Sequence, residues 1–384
     1  MISVAKRMDS VNEYYFSTKL KEIARLRQQG EDIINLGIGS PDLRPTQKAV
    51  KQLIKESKDK NNHAYQSYTG IPELRKAFAK WYRRFFDVEL NYEDEILPLA
   101  GSKEGVMHIS MTYLEKGDKV LVPNPGYAAY RATALLAGAS VVEYPLSEKN
   151  NWLIDFDKLE KRNLTKVKIM WVNYPNMPTG APGNKAFFER LIAFGKKHKI
   201  LIVNDNPYSF ILNDQPLSLL SVDGAKEVAL ELNSLSKSHN MAGWRLGMVA
   251  GNAKYLRQIL KFKSNMDSGM FKPVQLAAVQ ALKQPGKWYK ELNKKYRRRK
   301  QKVMKLLDLL QCRYDKNLTG MFIWAKIPKG YKDGYAFSDK ILYEYGIFIT
   351  PGGIFGSQGT KYVRISLSNK TALVEKAIDR LTKQ

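Results

Sequence analysis

At 384 residues, 44% hydrophobic and 26% charged, the chain has an ordinary globular balance with room for a large core, which excludes a small stapled module, a disordered tail and a fibrous repeat. Its one cysteine, Cys312, excludes an intramolecular disulfide and any cysteine cluster for zinc or iron–sulfur, and favours a reducing compartment. The opening MISVAKRMDSVNEYYF has no apolar core of signal-peptide length. No stretch approaches the roughly 20 apolar residues of a membrane span, so a soluble, cytoplasmic protein with no membrane partner and no metal is expected.

The formal net charge is +26, from 63 basic and 37 acidic residues. Such an excess can mark a nucleic-acid-binding protein, and that reading stands as the remote alternative. The lysines, however, are spread along the chain. The densest run, Lys294 to Lys300, leads into apolar residues at helical spacing (Val303, Met304, Leu306, Leu307), which predicts a solvated helix face and no nucleic-acid partner.

In chain order, Leu74 to Phe86 reads as an amphipathic helix opened by Pro72-Glu73. Strands are expected at Lys119 to Val122, stopping at Pro123, and at Ser140 to Tyr144, stopping at Pro145. Lys168 to Val172 is a third, ahead of Asn173-Tyr174-Pro175, and a second helix runs from Asn184 to Lys197. Further strands are Ile200 to Val203, leading to Asn204-Asp205, and Val228 to Leu232, leading to Asn233-Ser234. The alternation predicts an α/β fold with a central, mostly parallel sheet flanked by helices, and ligands are expected outside the carboxyl ends of its strands. From about Gln280 a long basic helix, the strand around Gly320 to Ala325, a helix and Lys361 to Ser366 predict a smaller α+β unit. The expected division sets a small domain of 1–42 with 281–384 against a large one of 43–280.

Chemistry concentrates after the fifth strand. Ser234-Leu235-Ser236-Lys237 and Gly243-Trp244-Arg245-Leu246-Gly247 bring two hydroxyls, a lysine and an arginine together among small residues. An anion such as phosphate suits them, and a lysine desolvated among cations is a competent nucleophile toward an aldehyde. An isolated lysine in so basic a chain is ordinarily a surface charge, so the context carries the assignment.

That segment resembles the cofactor-lysine signature of the class I/II aminotransferases, pyridoxal-phosphate (PLP) dependent transferases of fold type I. Within the family the overall motif wording resembles the branch that contains LL-diaminopimelate and related aspartate or aromatic aminotransferases. The resemblance implies that Lys237 holds PLP as a Schiff base and serves as general base, with Ser234, Ser236 and Arg245 at the cofactor phosphate. Gly101-Ser102-Lys103 resembles the turn whose amides open a helix toward that phosphate. Tyr65, near Tyr68-Thr69-Gly70, is similar to the tyrosine that reaches the neighbouring subunit's phosphate, which implies a homodimer; Lys263 to Gly269 is expected at the same interface.

By the same resemblance Tyr127 stacks on the pyridine ring, Asp205 keeps the ring nitrogen protonated and Tyr208 bonds the ring hydroxyl. Gly39, in Leu36 to Asp42, borders the substrate carboxylate, and Arg364, in Val363 to Ser366, grips it with a planar fork. Asn12 to Phe16 and Gly39 to Arg44 are expected at the entrance, with Arg44 a candidate for a distal carboxylate. One departure stands out. Met177, in Pro175-Asn176-Met177-Pro178-Thr179-Gly180, replaces the family's asparagine, and a thioether cannot donate that residue's hydrogen bond. Asn173, Asn176 or Tyr208 alone are the candidates to compensate. The expected activity is transfer of an amino group between an α-amino acid and a 2-oxo acid; a PLP-dependent C–S or β-elimination lyase of the same fold is the alternative.

Overall fold

Runs rich in Val, Ile and Leu, each bounded by polar residues, become the strands of the computed structural model, which describes residues 2–383. Met1 and Gln384, the outer ends of the expected small domain, lie outside the described residues. In chain order the strands are β1 (Ile34–Asn35), β2 (Ile96–Leu99), β3 (Lys119–Asn124), β4 (Ser140–Pro145), β5 (Val167–Val172), β6 (Leu201–Asp205), β7 (Ala229–Ser234), β8 (Gly247–Gly251), β9 (Arg313–Tyr314), β10 (Phe322–Lys326), β11 (Ile347–Phe348), β12 (Thr350–Pro351) and β13 (Tyr362–Ser366).

Seven of them form one sheet in the order β2-β8-β7-β6-β5-β3-β4, in which β8 alone is antiparallel to its neighbours. Both faces are covered, so the central strands are mostly apolar, as buried parallel strands are, apart from Glu231 in β7 and the polar carboxyl ends of β6 and β7. Val120, Val122, Ile169, Trp171, Val203 and Leu230 face the helices Ser102–Tyr113, Ala128–Leu136 and Ala253–Lys263. The alternate residues Leu121, Met170 and Ile202 join the core built with Phe78, Trp81, Phe187 and Leu191.

Four strands, β3, β4, β6 and β7, run further than the sequence suggests, the first two into a proline. Leu146 N donates to Asn124 O and Ser140 N to Asp118 O, so even-numbered residues of β3 face β4 and Pro123 faces the side of β5. The β3–β5 pairing ends at Leu121↔Met170. The missing proline N–H therefore interrupts no ladder bond, and the strand continues to Asn124. Pro145 likewise ends an edge strand. The helices begin and end close to expectation, at Pro72–Phe86 and Lys185–His198, the latter capped by Asn184, whose side chain accepts from Phe187 N at 2.8 Å.

Beyond the large sheet, β12-β13-β10-β9 form an antiparallel sheet and β1 pairs in parallel with β11. The basic helix is Gly286–Leu309. Lys294, Lys295, Arg297 and Arg298 are solvated as expected, but Arg299 turns inward and donates to both oxygens of Asp42 at 2.8 Å and to Leu367 O at 3.1 Å. A charged run on a helix with one apolar stripe must place some of its members over that stripe, and Arg299 follows Tyr296 by three positions.

Candidate active site

Because β2, β3, β5, β6 and β7 run the same way, their carboxyl ends open onto one edge, where a cavity of about 470 Å³ lies between the large sheet and β10–β13. The last residue of β7, Ser234, caps the short helix Leu235–Ser238: its Oγ accepts from Ser236 N at 3.1 Å and donates to Ser236 Oγ at 2.8 Å. Lys237 stands in this turn and lines the cavity. Its Nζ donates to Gly39 O at 2.7 Å, and among the described residues it has no carboxylate partner. Burial, followed by the cations Arg364 and Arg245, brings its ammonium down to about 8 against the pull of Asp205. A substantial neutral fraction near physiological pH makes this amine a nucleophile and a base.

Asp205 ends β6. Tyr130 Oη donates to its Oδ2 at 2.9 Å, while Oδ1 is buried with no partner. Burial pushes its carboxyl up to about 6, with the Tyr130 hydrogen bond pulling the other way. A half-satisfied carboxylate at the floor of a cavity is ready to accept one more N–H. Tyr208 lines the same wall, and burial holds its phenol protonated well above its ordinary range, so it remains a donor.

Opposite, the helix Ser102–Tyr113 starts against Arg245. Gly101 has φ +90°, and a Cβ there would lie 2.1 Å from Arg245 Nη2, so only glycine lets the guanidinium cover the helix start. Arg245 Nη1 donates to Ala242 O at 2.9 Å and Nη2 to Ala100 O at 3.3 Å, leaving further N–H groups free. With Ser102, Lys103, Ser234 and Ser236 around it, this corner has the donors to hold a multiply charged anion. Tyr127, the residue before the helix Ala128–Leu136, forms another wall.

Arg364 enters from β13, between β10 and β12. It is 4% exposed, and burial lowers its guanidinium to about 10. Nη2 donates to Gly37 O at 2.9 Å and Nη1 to Met177 Sδ at 3.3 Å, Nε has no partner, and among the described residues no carboxylate pairs with it. The departure at Met177 is thus an acceptor for the arginine. Asn173 lines the cavity, but its Nδ2 donates to Asp205 O at 2.5 Å and its Oδ1 accepts from Met177 N at 2.7 Å. Asn176 is engaged with Asn173 O and Thr179, which leaves Tyr208 as the phenolic donor on that wall.

Two candidates lie elsewhere. Tyr65 is 91% exposed and takes no part in its own chain's cavity. Arg44 is also exposed and contributes only its carbonyl, which accepts from Asn240 Nδ2 at 3.3 Å. At the entrance, Tyr14 and Phe16 line the cavity, with Lys103 Nζ 5.5 Å from the Tyr14 ring centroid. Tyr130 and Phe322 were not legible beforehand. The signal for Tyr130 was its place three residues after Tyr127, on a neighbouring face of one helix. Phe322 looked like any core aromatic.

An orphan carboxylate oxygen, an amine without a counter-ion and an anion corner around one cavity fit a planar, phosphorylated aromatic aldehyde. The protein's sequence matches the family described as aminotransferase class I and II over residues 31–381. It is 40% identical over 382 residues to LL-diaminopimelate aminotransferase of Dehalococcoides mccartyi, covering 99% of this chain and 98% of that protein. Identity to the protein of that name from Aquifex aeolicus is 39% over 384 residues, 99% of each chain. The substrate-bound BacF structure from Bacillus subtilis superimposes with a TM-score of 0.95 at 34% identity, over 100% of this chain and 98% of that one.

Proposed function

The chain belongs to the class I and II aminotransferases, and on that premise we propose that it takes the amino group of LL-diaminopimelate, or of a closely similar diamino dicarboxylate, to a 2-oxo acid. As a member of the family it is a PLP-dependent transferase acting on amino acids and 2-oxo acids. The substrate is suggested by the names of relatives that match over nearly the whole chain, both LL-diaminopimelate aminotransferases. The assignment of roles rests on one observation: Lys237, Asp205 and Arg364, three charged groups facing one cavity, have no ion-pair partner among the described residues.

PLP, when bound, supplies an aldehyde carbon that takes up the amino group and a ring that accepts the electron pair released at the substrate Cα. Arg364 holds the α-carboxylate with its planar fork, fixing which bond at Cα faces Lys237. Lys237 Nζ, neutral enough at pH 8 to accept a proton, would take it from Cα and deliver it to the cofactor carbon that has received the amino group. Asp205 Oδ1 accepts an N–H from the ring, and Tyr208 Oη donates to the ring hydroxyl. The first amides of Ser102–Tyr113, with Ser234, Ser236 and Arg245, hold the phosphate, and Tyr127 covers the ring face.

The same reading makes the active unit a cytoplasmic homodimer, with no nucleic-acid partner, in which Tyr65 crosses to the neighbouring phosphate. Its exposure, with that of Tyr68, Met266 and Phe271, is the feature that supports it. Among the described residues no helix is long and apolar enough to cross a membrane. The division into 1–42 with 281–384 and 43–280 belongs to this reading too. Helix Gly286–Leu309 spans the two parts: Asn293 bonds Leu212 N and Phe210 O, and Arg299 bonds Asp42.

Absorption spectra of the holoenzyme with single amino acids and no acceptor test the substrate. LL-diaminopimelate is expected to bleach the cofactor band and to release one 2-oxo acid. Bleaching by other amino acids but not by this one would remove the substrate assignment.

A further inference from the structure

Taking a guanidinium out of water is costly unless a carboxylate faces it, and Arg364 is buried without one. Its surroundings are attractive but neutral. The Phe322 ring centroid lies 4.0 Å from the guanidinium carbon and that of Phe355 lies at 4.7 Å, presenting the negative faces of their π-systems. Nη1 meets the Met177 thioether at 3.3 Å, a polarizable and weak acceptor. The ring, and the backbone from which the thioether reaches out, are both held in place. A Cβ on Gly39 would lie 2.4 Å from Phe322 Cζ, so that ring is packed directly on the backbone, and its other flank meets the Tyr208 ring at 5.8 Å and 73°. The Met177 N–H is tied to Asn173 Oδ1 at 2.7 Å.

We propose that Met177 and Phe322 are positioning residues that form a neutral, polarizable cage, holding Arg364 oriented but not neutralised, so that the incoming α-carboxylate is the first anion it meets. The inference rests on the reading that Arg364 takes that carboxylate. It accounts for methionine at position 177. An acidic residue would neutralise the guanidinium and compete with every substrate, whereas an unbranched thioether reaches Nη1 and gives way at little cost. It also assigns Phe322, which carries no polar atom, a share in substrate affinity through the arginine it covers.

The test uses the holoenzyme with 2-oxoglutarate as a carboxylate probe that brings no amino group. M177L keeps the volume but removes the acceptor, and is expected to raise the Kd for 2-oxoglutarate and the KM for the amino donor about 3- to 10-fold, with kcat changed less than about 2-fold. F322L is expected to weaken binding about 10-fold. M177E, which supplies a permanent counter-charge, should weaken it on the order of 100-fold. In these variants the Kd for PLP should stay at the parent value, a result that a general loosening of the fold would not give. In the unsubstituted protein labelled with methyl-¹³C methionine, the resonance absent from M177L should move when 2-oxoglutarate binds, a readout that does not depend on any variant folding.

If R364K binds 2-oxoglutarate as the parent does, the reading of Arg364 itself fails. If R364K weakens binding while M177L, F322L and M177E do not, or the Met177 methyl stays still, the cage alone is overturned.

Discussion

Three pairs of buried charges separate the cavity from the frame that holds it. Arg299 in the frame meets both oxygens of Asp42 at 2.8 Å, whereas Arg364 in the cavity meets a carbonyl, a thioether and aromatic rings. Glu231, on β7, accepts from Tyr82 Oη, Ser218 Oγ, Leu219 N and Asn204 Nδ2 at 2.8 to 3.0 Å, whereas Asp205, one strand away, accepts from Tyr130 Oη, with the Ser102 hydroxyl nearby, and its Oδ1 is buried without a partner. Lys263 is chelated by both oxygens of Asp267 at 2.7 Å, whereas Lys237 has a single carbonyl. Folding satisfied the first member of each pair and left the second to its ligands, so partner count distinguishes a binding group from a structural one here.

Matched substitutions can break this contrast. The largest effect is expected from the lysines: Lys237→Ala should lower turnover on the order of 10⁴-fold or more with a normal melting curve. Lys263→Ala should instead leave Asp267 without its cation and destabilise the protein by about 3 kcal/mol while changing turnover little. Steady-state kinetics beside thermal or urea unfolding separates the two, and equal losses of turnover would contradict the contrast.

Next come the arginines. Arg364→Leu should cut kcat/KM by about 100- to 1000-fold, because a buried charge-assisted contact to the carboxylate is lost. Arg299→Leu should act on stability rather than turnover, by about 1 kcal/mol, because Asp42 reaches solvent. The carboxylates should differ in sign. Glu231→Ala leaves several donors unsatisfied and should cost about 3 kcal/mol in urea unfolding.

Burial pushes the Asp205 carboxyl in the fold up to about 6 from its ordinary value of 3.8. The folded state therefore holds that proton more tightly, and its contribution to stability, present below about pH 3.8, is lost as pH rises through 6. In cofactor-stripped protein, Asp205→Asn should thus be more stable than the parent above pH 6, by on the order of 3 kcal/mol, with the advantage gone near pH 4. No pH dependence of the difference would mean that Asp205 is solvated or paired. The smallest effect sharpens the dimer reading: Tyr65→Phe removes one phosphate donor and should weaken cofactor affinity about 10-fold, as followed by dialysis against buffer.

Much of the frame was readable in the sequence because buried parallel strands are unbroken apolar runs and the helices between them carry caps and a periodic stripe. Ile96–Leu99 and Gly247–Gly251 escaped. One is four residues long with Pro98 inside it, and the other is five residues bounded by glycines, signals that also mark turns. Lys237, Asp205 and Arg364 were found through motif resemblance, since nothing local distinguishes them from surface charges. Met177 was visible as a departure, but not its contact with Arg364, 187 residues further on. Tyr130 and Phe322 could not be told from core aromatics, because what makes them part of the site is a partner supplied by another strand.

The most direct test of the central claim is borohydride reduction of the purified holoenzyme followed by peptide mass mapping. One cofactor-sized mass per chain, fixed on Lys237, is the result expected if the amine without a counter-ion is the one that binds covalently. The adduct on another lysine, or none after PLP is added in excess, would contradict it.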